Sequence, residues 1–259
     1  MRISVIITTY NAERFIEKTL HSIASQTYKD FEVIIIDDGS TDNTVKVIKN
    51  FVKSNNLNNI KLFPEKHIGR APALNFAVRS ARYDWIAIID ADDLWNIYKL
   101  EIQINYIKKF NLDFLATKCV SFKKDDEVNI YEKPVSDIRE DLLSIITMDK
   151  ILCRSVIPHS SVVFKKELAA YEISRNSQID LELWLRLLQN KLKLYLLKLT
   201  LTYKRKHKNQ YFESNNRFKY ILNSYKLRMK YALLNYKFFP IIFLFIKLPY
   251  YLYYSFQKN

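Results

Sequence analysis

Short apolar runs that end in a polar turn recur along the first 115 residues of this 259-residue chain. They lie at Ile3–Ile7, Phe31–Ile36, Ile60–Phe63 and Trp85–Ile89, and the first three are each followed by a helical pattern of apolar residues. Strands that alternate with helices at these lengths predict an α/β fold in which helices cover both faces of a parallel sheet. Open sheets of this kind bind ligands at the carboxyl ends of their strands, so we expect a functional site at that edge.

The last of these runs ends in three carboxylates, Asp90, Asp92 and Asp93. Neighbouring carboxylates repel each other and raise one another's pKa, and a divalent cation allows them to stay charged together. Ligation by oxygen alone favours Mg²⁺ or Mn²⁺ over Zn²⁺. The competing interpretation is a solvated acidic turn that closes a strand. The position of the cluster at the expected ligand edge favours the metal site.

The net charge of +14 is concentrated near the carboxyl end, because twelve Lys and Arg residues from Tyr203 onward accompany the single acid Glu213. That segment carries +11 and leaves about +3 for the preceding 202 residues. No nucleic-acid-binding module accompanies these cations, so we expect no nucleic-acid partner and favour an anionic membrane surface.

Cys119 and Cys153 lack metal-binding spacing and are interpreted as reduced thiols. The amino terminus lacks the apolar region of an export signal.

Four stretches of the chain occur in the order typical of the family 2 glycosyltransferases, and the chain resembles that family. They are Ser4–Asn11, Val33–Asp42, Asp90–Asp93 and Asp180 with Leu183–Arg186. The resemblance implies the GT-A fold, which is a Rossmann-like, mostly parallel sheet flanked by helices. It implies a glycosyltransferase domain over residues 1–210, with a nucleotide-sugar half at about 1–115 and an acceptor half at about 116–210.

The resemblance also implies roles for residues that bind the donor. Thr9 and Tyr10 would line the nucleotide base pocket, and Asp38 would accept a hydrogen bond from the pyrimidine ring. Asp90 would hold the ribose, and Asp92 would hold the Mn²⁺ or Mg²⁺ ion on the diphosphate. These residues follow predicted strands, as a site at the carboxyl edge requires.

On the acceptor side, the resemblance implies that Asp180 is the catalytic base and that Trp184 contacts substrate. Ile179 precedes Asp180 where the family has Glu, and this departure affects acceptor orientation more than deprotonation because one carboxylate suffices as the base. Arg70 is expected to add positive charge near the phosphates, with an ordinary surface arginine as the equally weighted alternative.

Two histidines carry open interpretations. His207 follows the basic residues Lys204–Lys206 and could reach the metal or the diphosphate, but a solvated side chain is the favoured interpretation. His159 opens a polar turn that resembles an acceptor-side loop of the family, and a plain strand-entry turn is its alternative.

Together these features predict an inverting, metal-dependent glycosyltransferase that moves a hexosyl or N-acetylhexosaminyl group from a nucleotide-sugar, with a UDP-sugar favoured. The resemblance implies a glycan or lipid-linked glycan acceptor in a bacterial surface polymer, such as lipooligosaccharide, O-antigen or capsule. One alternative is transfer to a polyprenyl phosphate, which needs no base, and Asp180 argues against it. Another is a catalytically silent, membrane-bound sugar-nucleotide binder, against which Asp90, Asp92 and Asp180 argue.

Residues 211–259 are predicted to form a basic, aromatic helical tail, and eleven of the twenty-nine residues from Tyr231 onward are Phe or Tyr. Pro240, Lys247 and Pro249 interrupt its apolar run, so binding at the membrane interface is favoured over a spanning helix or an ordinary packed helix. The cations expected to meet anionic lipid are Arg217, Lys219, Lys226, Arg228, Lys230 and Lys237. The predicted location is peripheral, on the cytoplasmic side of the inner membrane.

Overall fold

The structure of the chain is a computed structural model that describes residues 1–134, 137–207 and 217–256. Its strands are β1 Ile3–Thr9, β2 Phe31–Asp38, β3 Ile60–Glu65, β4 Trp85–Ile88, β5 Leu94–Trp95, β6 Phe114–Phe122, β7 Leu143–Ile146, β8 Val163–Lys165 and β9 Leu194–Arg205. Its α-helices are α1 Ile16–Ala24, α2 Thr44–Ser54, α3 Arg70–Ser80, α4 Lys99–Phe110, α5 Met148–Cys153, α6 Ile179–Gln189, α7 Arg217–Leu234 and α8 Phe238–Phe256.

The strands form one mixed sheet in the order β3-β2-β1-β4-β8-β6-β9-β5, and β7 pairs with β9. The neighbours β3, β2, β1 and β4 are parallel, as the sequence predicts. Their carboxyl ends therefore meet at one edge of the sheet, where Thr9 of β1 pairs with Asp37 of β2. This edge carries the polar turns that the sequence places after the strands.

Strand β8 runs antiparallel to both β4 and β6, and this reversal positions part of the site. Because β8 is antiparallel, its beginning lies beside the end of β4, where Ile88 donates its N–H to the carbonyl oxygen of Val162 at 3.3 Å. The short 3₁₀ turn His159–Ser161 before β8 is thereby placed next to Asp90. Strands β5 and β7 are also antiparallel to β9, so the second half of the sheet is less uniformly parallel than the sequence predicts.

Both faces of the sheet are covered, because successive strand residues point to opposite sides. Ile6 and Ile34 belong to a buried cluster shared with α3, α6 and α7. Val5 and Val33 belong to a second cluster, shared with α1, α2 and α4 on the other face. The predicted helix-covered α/β sheet is confirmed.

Helix α7 packs against the rest of the fold. Leu227, Tyr231 and Ala232 are buried in the cluster that contains α3 and α6. The Tyr231 hydroxyl donates to Glu182 Oε1 of α6 at 3.2 Å, and burial together with that carboxylate raises the pKa of Tyr231 to about 12. The first helix of the predicted tail therefore shares the core of the residues before it.

Two tail cations predicted to meet lipid bind protein groups. Arg228 is 7% exposed and donates to the carbonyl oxygen of Ile151 and, at 3.0 Å, to Ser155 Oγ. Lys237 Nζ lies 2.9 Å from Asp149 Oδ1. The prediction of a lipid contact is wrong for Arg228, because its turn of α7 faces α5. The predicted boundary between residues 210 and 211 lies outside the described residues.

Helix α8 follows α7 after a short turn and contains Pro249. Leu244 is buried, whereas Phe238 and Phe245 are exposed. Among the residues that the structure describes, no helix is both long enough and apolar enough to cross a bilayer.

Candidate active site

The carboxyl end of β1 carries the two residues predicted to line the base pocket. Thr9 is buried, and its Oγ1 has no hydrogen-bond partner within the described part of the chain. Tyr10 is half exposed, and its ring centroid lies 4.9 Å from that of His67. Aromatic faces of this kind can stack on a planar base. Both residues lie at the expected edge, and their contact with a nucleotide stays a prediction.

Asp38 closes β2 and is buried under the loop that precedes α3. Its Oδ1 accepts the backbone N–H of Ile68 at 2.6 Å and that of Gly69 at 3.1 Å. The loop can approach this closely because residue 39 is glycine, with φ of +78° and an added Cβ only 2.7 Å from His67 N. The carboxylate is thus fixed by main-chain donors, and a pyrimidine N–H would share it with them.

Asp90 follows β4 and is contacted by Arg70, the first residue of α3. Arg70 Nη2 lies 2.5 Å from Asp90 Oδ1 and 3.1 Å from His159 Nδ1. Burial alone would raise the pKa of Asp90, but the positive charge of Arg70 holds it well below the usual range. Arg70 therefore belongs to the cluster at the sheet edge, and Asp90 remains charged.

His159 links this ion pair to Tyr171. Arginine can only donate, so His159 Nδ1 accepts from Arg70, and the Nε2–H donates to the Tyr171 hydroxyl at 2.9 Å. Tyr171 is itself held by Asn75, whose side chain pairs with both the N–H and the carbonyl of Tyr171 at 2.9 and 2.8 Å. The turn before β8 is thus a strand entry that also orients Arg70.

Asp92 is half-buried, and its Oδ2 lies 2.9 Å from His207 Nε2. The His207 ring packs on Phe15, with 4.4 Å between centroids, so the interpretation of His207 as a solvated side chain is wrong. One carboxylate oxygen from each of Asp90, Asp92 and Asp93 lies within 4.8 Å of the others. Carboxylate oxygens with an adjacent imidazole nitrogen are a ligand set that suits Mn²⁺ or Mg²⁺.

Asp93 has a different environment from its neighbour Asp92. It is 2% exposed and accepts a hydrogen bond from Ser160 Oγ at 2.6 Å and from the backbone N–H of Arg205 at 3.0 Å. Burial, reinforced by the charges of Asp92 and Asp90, raises its pKa well above the usual range. Asp93 therefore joins the loop after β4 to the start of β8 and the end of β9.

Asp180 lies in the first turn of α6 and is half-buried, directly after the buried Ile179. Burial would lower the pKa of Lys204, yet the charges of Asp90, Asp93 and Asp180 raise it. The charge of Asp180 thus raises the pKa of the same lysine as the charges of the carboxylates at the end of β4. The helix terminus and the sheet edge face a common site.

A small cavity of about 40 Å³ adjoins Asp180 and is also lined by Trp184 and by Tyr220 of α7. Trp184 is 2% exposed and packs edge-on against Phe114, with ring centroids 5.1 Å apart. Its Nε1 has no hydrogen-bond partner among the described residues. The predicted contact of Trp184 with substrate stays a prediction.

Sequence reasoning missed Tyr171, Lys204 and Tyr220 as members of the site. Lys204 lies in the basic stretch that begins at the end of β9, which was a usable signal. Tyr171 and Tyr220 belong to segments without a motif, and their positions depend on how the turn before β8 and helix α7 pack.

The family model described as Glycosyl transferase family 2 matches residues 4–164. The chain is 31% identical over 220 residues to the UDP-Glc:alpha-D-GlcNAc-diphosphoundecaprenol beta-1,3-glucosyltransferase WfaP of Escherichia coli, covering 85% of this chain and 82% of that protein. It is 34% identical over 135 residues to an uncharacterized glycosyltransferase of Rickettsia bellii. That match covers 52% of this chain, which spans only 19% of the Rickettsia protein.

Solved structures share the fold. Staphylococcus aureus TarS in complex with UDP-GlcNAc aligns with a TM-score of 0.68 and 23% identity, covering 90% of this chain and 67% of TarS. The mannosyltransferase PcManGT from Pyrobaculum calidifontis, in complex with GDP-Man and Mn²⁺, aligns with a TM-score of 0.66 and 20% identity, covering 88% and 64%. The fold is therefore GT-A, as predicted. With a family match over more than half of its length, the chain belongs to the family 2 glycosyltransferases.

Proposed function

We propose that this glycosyltransferase is inverting and metal-dependent, and that it transfers a sugar from a UDP-sugar to a hydroxyl group of a lipid-linked bacterial surface glycan. The observation that carries the proposal is the pairing of Asp92 with His207 at the sheet edge, in a site that Asp180 shares through its effect on Lys204. This reaction requires a group that binds the cation and a separate carboxylate that acts as the base.

The donor nucleotide binds along the ends of β1, β2 and β4 in this proposal. Tyr10 stacks on the base, Thr9 Oγ1 takes up a polar contact, and Asp38 accepts the pyrimidine N–H. Asp90 remains ionised beside Arg70, so it is a strong acceptor for the ribose hydroxyls. The support is that all these side chains reach one edge of the parallel strands.

Asp92 and His207 would hold Mn²⁺ or Mg²⁺ in this proposal, and a structural neighbour was solved with Mn²⁺. The bound cation supplies positive charge beside the departing diphosphate. Lys204 adds a second positive charge, because its raised pKa keeps it protonated at neutral pH. Arg70 adds a third from the start of α3.

Asp180 acts as the base. It accepts the proton of the acceptor hydroxyl while the hydroxyl oxygen forms a bond to the anomeric carbon, and the bond from that carbon to the diphosphate oxygen breaks. The electron pair of the broken bond leaves with the nucleoside diphosphate. Attack from the side opposite the leaving group inverts the anomeric configuration.

The proposed acceptor is a glycan on a polyprenyl diphosphate. The Escherichia coli relative is named for an acceptor of this chemistry, GlcNAc-diphosphoundecaprenol. An enzyme that meets such a lipid works at a membrane surface, and we place it peripherally on the cytoplasmic side of the inner membrane. The exposed apolar side chains of α8 support that location.

The test is a donor screen that follows nucleotide release with UDP-, GDP- and dTDP-sugars and a synthetic GlcNAc-diphosphate lipid. We expect release of UDP that requires the acceptor, stops in EDTA and returns with Mn²⁺ or Mg²⁺. Full turnover in EDTA would contradict the metal assignment, and retained anomeric configuration in the product NMR spectrum would contradict inversion. Transfer to polyprenyl phosphate alone would favour the polyprenyl-phosphate glycosyltransferase.

A further inference from the structure

One side of α8 is exposed and apolar. Its large side chains are Phe238, Phe239, Ile242, Phe245 and Ile246, with exposures of 74%, 68%, 58%, 59% and 70%. Their spacing places them together along one side of the helix, while Leu244 on the other side is 2% exposed. We call these five residues the apolar face. Contiguous exposed apolar surface of this kind marks an interaction site.

The end of α7 also exposes apolar side chains. Leu233 and Leu234 are 59% and 54% exposed in its last turn, directly before α8. Toward the start of α7, the same side of the helix carries three exposed lysines at offsets of seven and four residues, Lys219, Lys226 and Lys230. We call these the basic stripe. None of the three forms an ion pair with an acid that the structure describes.

We propose that the apolar face inserts into the headgroup region of an anionic phospholipid bilayer while the basic stripe contacts the lipid phosphates. Helices that lie in the interface combine these two features, with large apolar side chains on one surface and cations beside it. The inference deepens the proposed function and rests on it in one respect: binding to the membrane would bring the enzyme to its lipid-linked acceptor.

The positive charge of the protein favours an anionic bilayer, and not a second copy of the chain, as the partner that binds the apolar face. The protein carries a net charge of +14, and a symmetric dimer through this face would bring two basic stripes together. Anionic headgroups complement both the lysines and the net charge. Arg228 and Lys237 are not part of this surface, because Arg228 is buried and Lys237 pairs with Asp149.

The test is co-sedimentation of the full chain with vesicles of phosphatidylcholine, alone or mixed with phosphatidylglycerol. We expect binding to the mixed vesicles that weakens in high salt. The variant Phe238→Ser/Ile242→Ser/Phe245→Ser should bind at least about a hundredfold more weakly, because three large apolar side chains no longer leave water. Lys226→Glu/Lys230→Glu should lose at least about thirtyfold, since each lost lysine costs roughly 1 kcal/mol and the new acids repel the anionic headgroups. The control Lys46→Glu/Lys49→Glu, on exposed positions of α2, changes net charge equally and should lose much less.

Failure of the wild-type chain to bind mixed vesicles, or equal losses in the two lysine variants, would overturn the inference. A wild-type dimer in size-exclusion chromatography that the triple variant abolishes, without vesicle binding, would assign the apolar face to a second copy and overturn it as well. Metal-dependent release of UDP from UDP-sugar in the presence of the synthetic GlcNAc-diphosphate lipid, without vesicles, is measured in parallel and should be equal in all variants. Vesicle binding without any sugar-nucleotide activity would leave this inference standing and overturn the proposed function.

Discussion

The two sides of the site differ in how their carboxylates are held within the protein. On the donor side, Asp38, Asp90 and Asp93 each accept hydrogen bonds from main-chain or side-chain donors. On the acceptor side, Asp180 adjoins a small cavity that Trp184 also lines, and the buried Trp184 N–H has no hydrogen-bond partner among the described residues. The carboxylates of the donor edge are therefore held in place before ligand binds. Each side also has a buried polar group without a partner among the described residues, Thr9 Oγ1 on the donor side and Trp184 Nε1 on the acceptor side.

This difference has a physical origin in the chain. The donor edge is built from parallel strands and the turns that follow them, so its geometry is fixed by sheet pairing. The acceptor side is built from α6 and α7, which meet through side-chain packing. Changes on the acceptor side should consequently spare donor binding, and the following variants test that separation.

Asp92→Asn should have the largest effect. It removes one negative charge from the proposed metal site, and with it both donor binding and stabilisation of the leaving group, so kcat/KM should fall about 10⁴-fold. The measurement is nucleotide release across a Mn²⁺ titration, with the melting temperature as a check of folding. Asp113→Asn is the matched control, because Asp113 pairs with Lys165 before β6, away from this edge. Equal activity of the Asp92 variant and its control would remove Asp92 from the site.

Asp180→Asn should reduce kcat about 10³-fold, because the amide has nearly the same shape but cannot take the acceptor's proton. Donor affinity, measured as competitive inhibition by UDP, should stay unchanged. A variant that keeps wild-type turnover would instead point to an acceptor that is already anionic, such as a polyprenyl phosphate.

His159→Phe should raise the donor KM about tenfold with little change in kcat, because Arg70 loses an acceptor that holds it beside Asp90. His159→Asn is the informative comparison. Its side-chain oxygen can replace Nδ1 as the acceptor for Arg70, although the link to Tyr171 is lost. We expect His159→Asn to lie closer to wild type than His159→Phe. The reverse order would assign His159 a packing role only.

Arg228→Met should have the smallest effect on catalysis and act on stability. The carbonyl oxygen of Ile151 would lose its buried donor, which costs about 2 kcal/mol of unfolding free energy. Thermal unfolding measures this loss. Lys226→Met, on the exposed side of the same helix, is the control and should leave stability nearly unchanged. Equal stability of both variants would show that α7 does not share the core.

The parallel strands were predictable because each is a short apolar, β-branched run followed by a polar turn. The acidic cluster was predictable as a group, but the different environments of its carboxylates were not. Asp92 and Asp93 are adjacent in sequence, but the carboxylate of Asp93 is buried where Ser160 and Arg205, from distant segments, donate hydrogen bonds to it.

Other features depended on contacts that the sequence pattern does not encode. Strand β8 has three residues, which is too short for a periodic signal, yet its direction places His159 beside Asp90. His207 lies among cations that suggest solvent exposure, and its packing on Phe15 brings it to Asp92. The burial of Arg228 likewise follows from how α7 docks on α5.

Calorimetric titration of UDP into the wild-type chain, Asp92→Asn and Asp180→Asn, each with Mn²⁺ and with EDTA, tests the separation of donor edge and base most directly. We predict Mn²⁺-dependent binding of equal affinity in wild type and Asp180→Asn, and weak binding in Asp92→Asn that Mn²⁺ does not improve. Loss of UDP binding in Asp180→Asn, or Mn²⁺-dependent binding retained in Asp92→Asn, would contradict it.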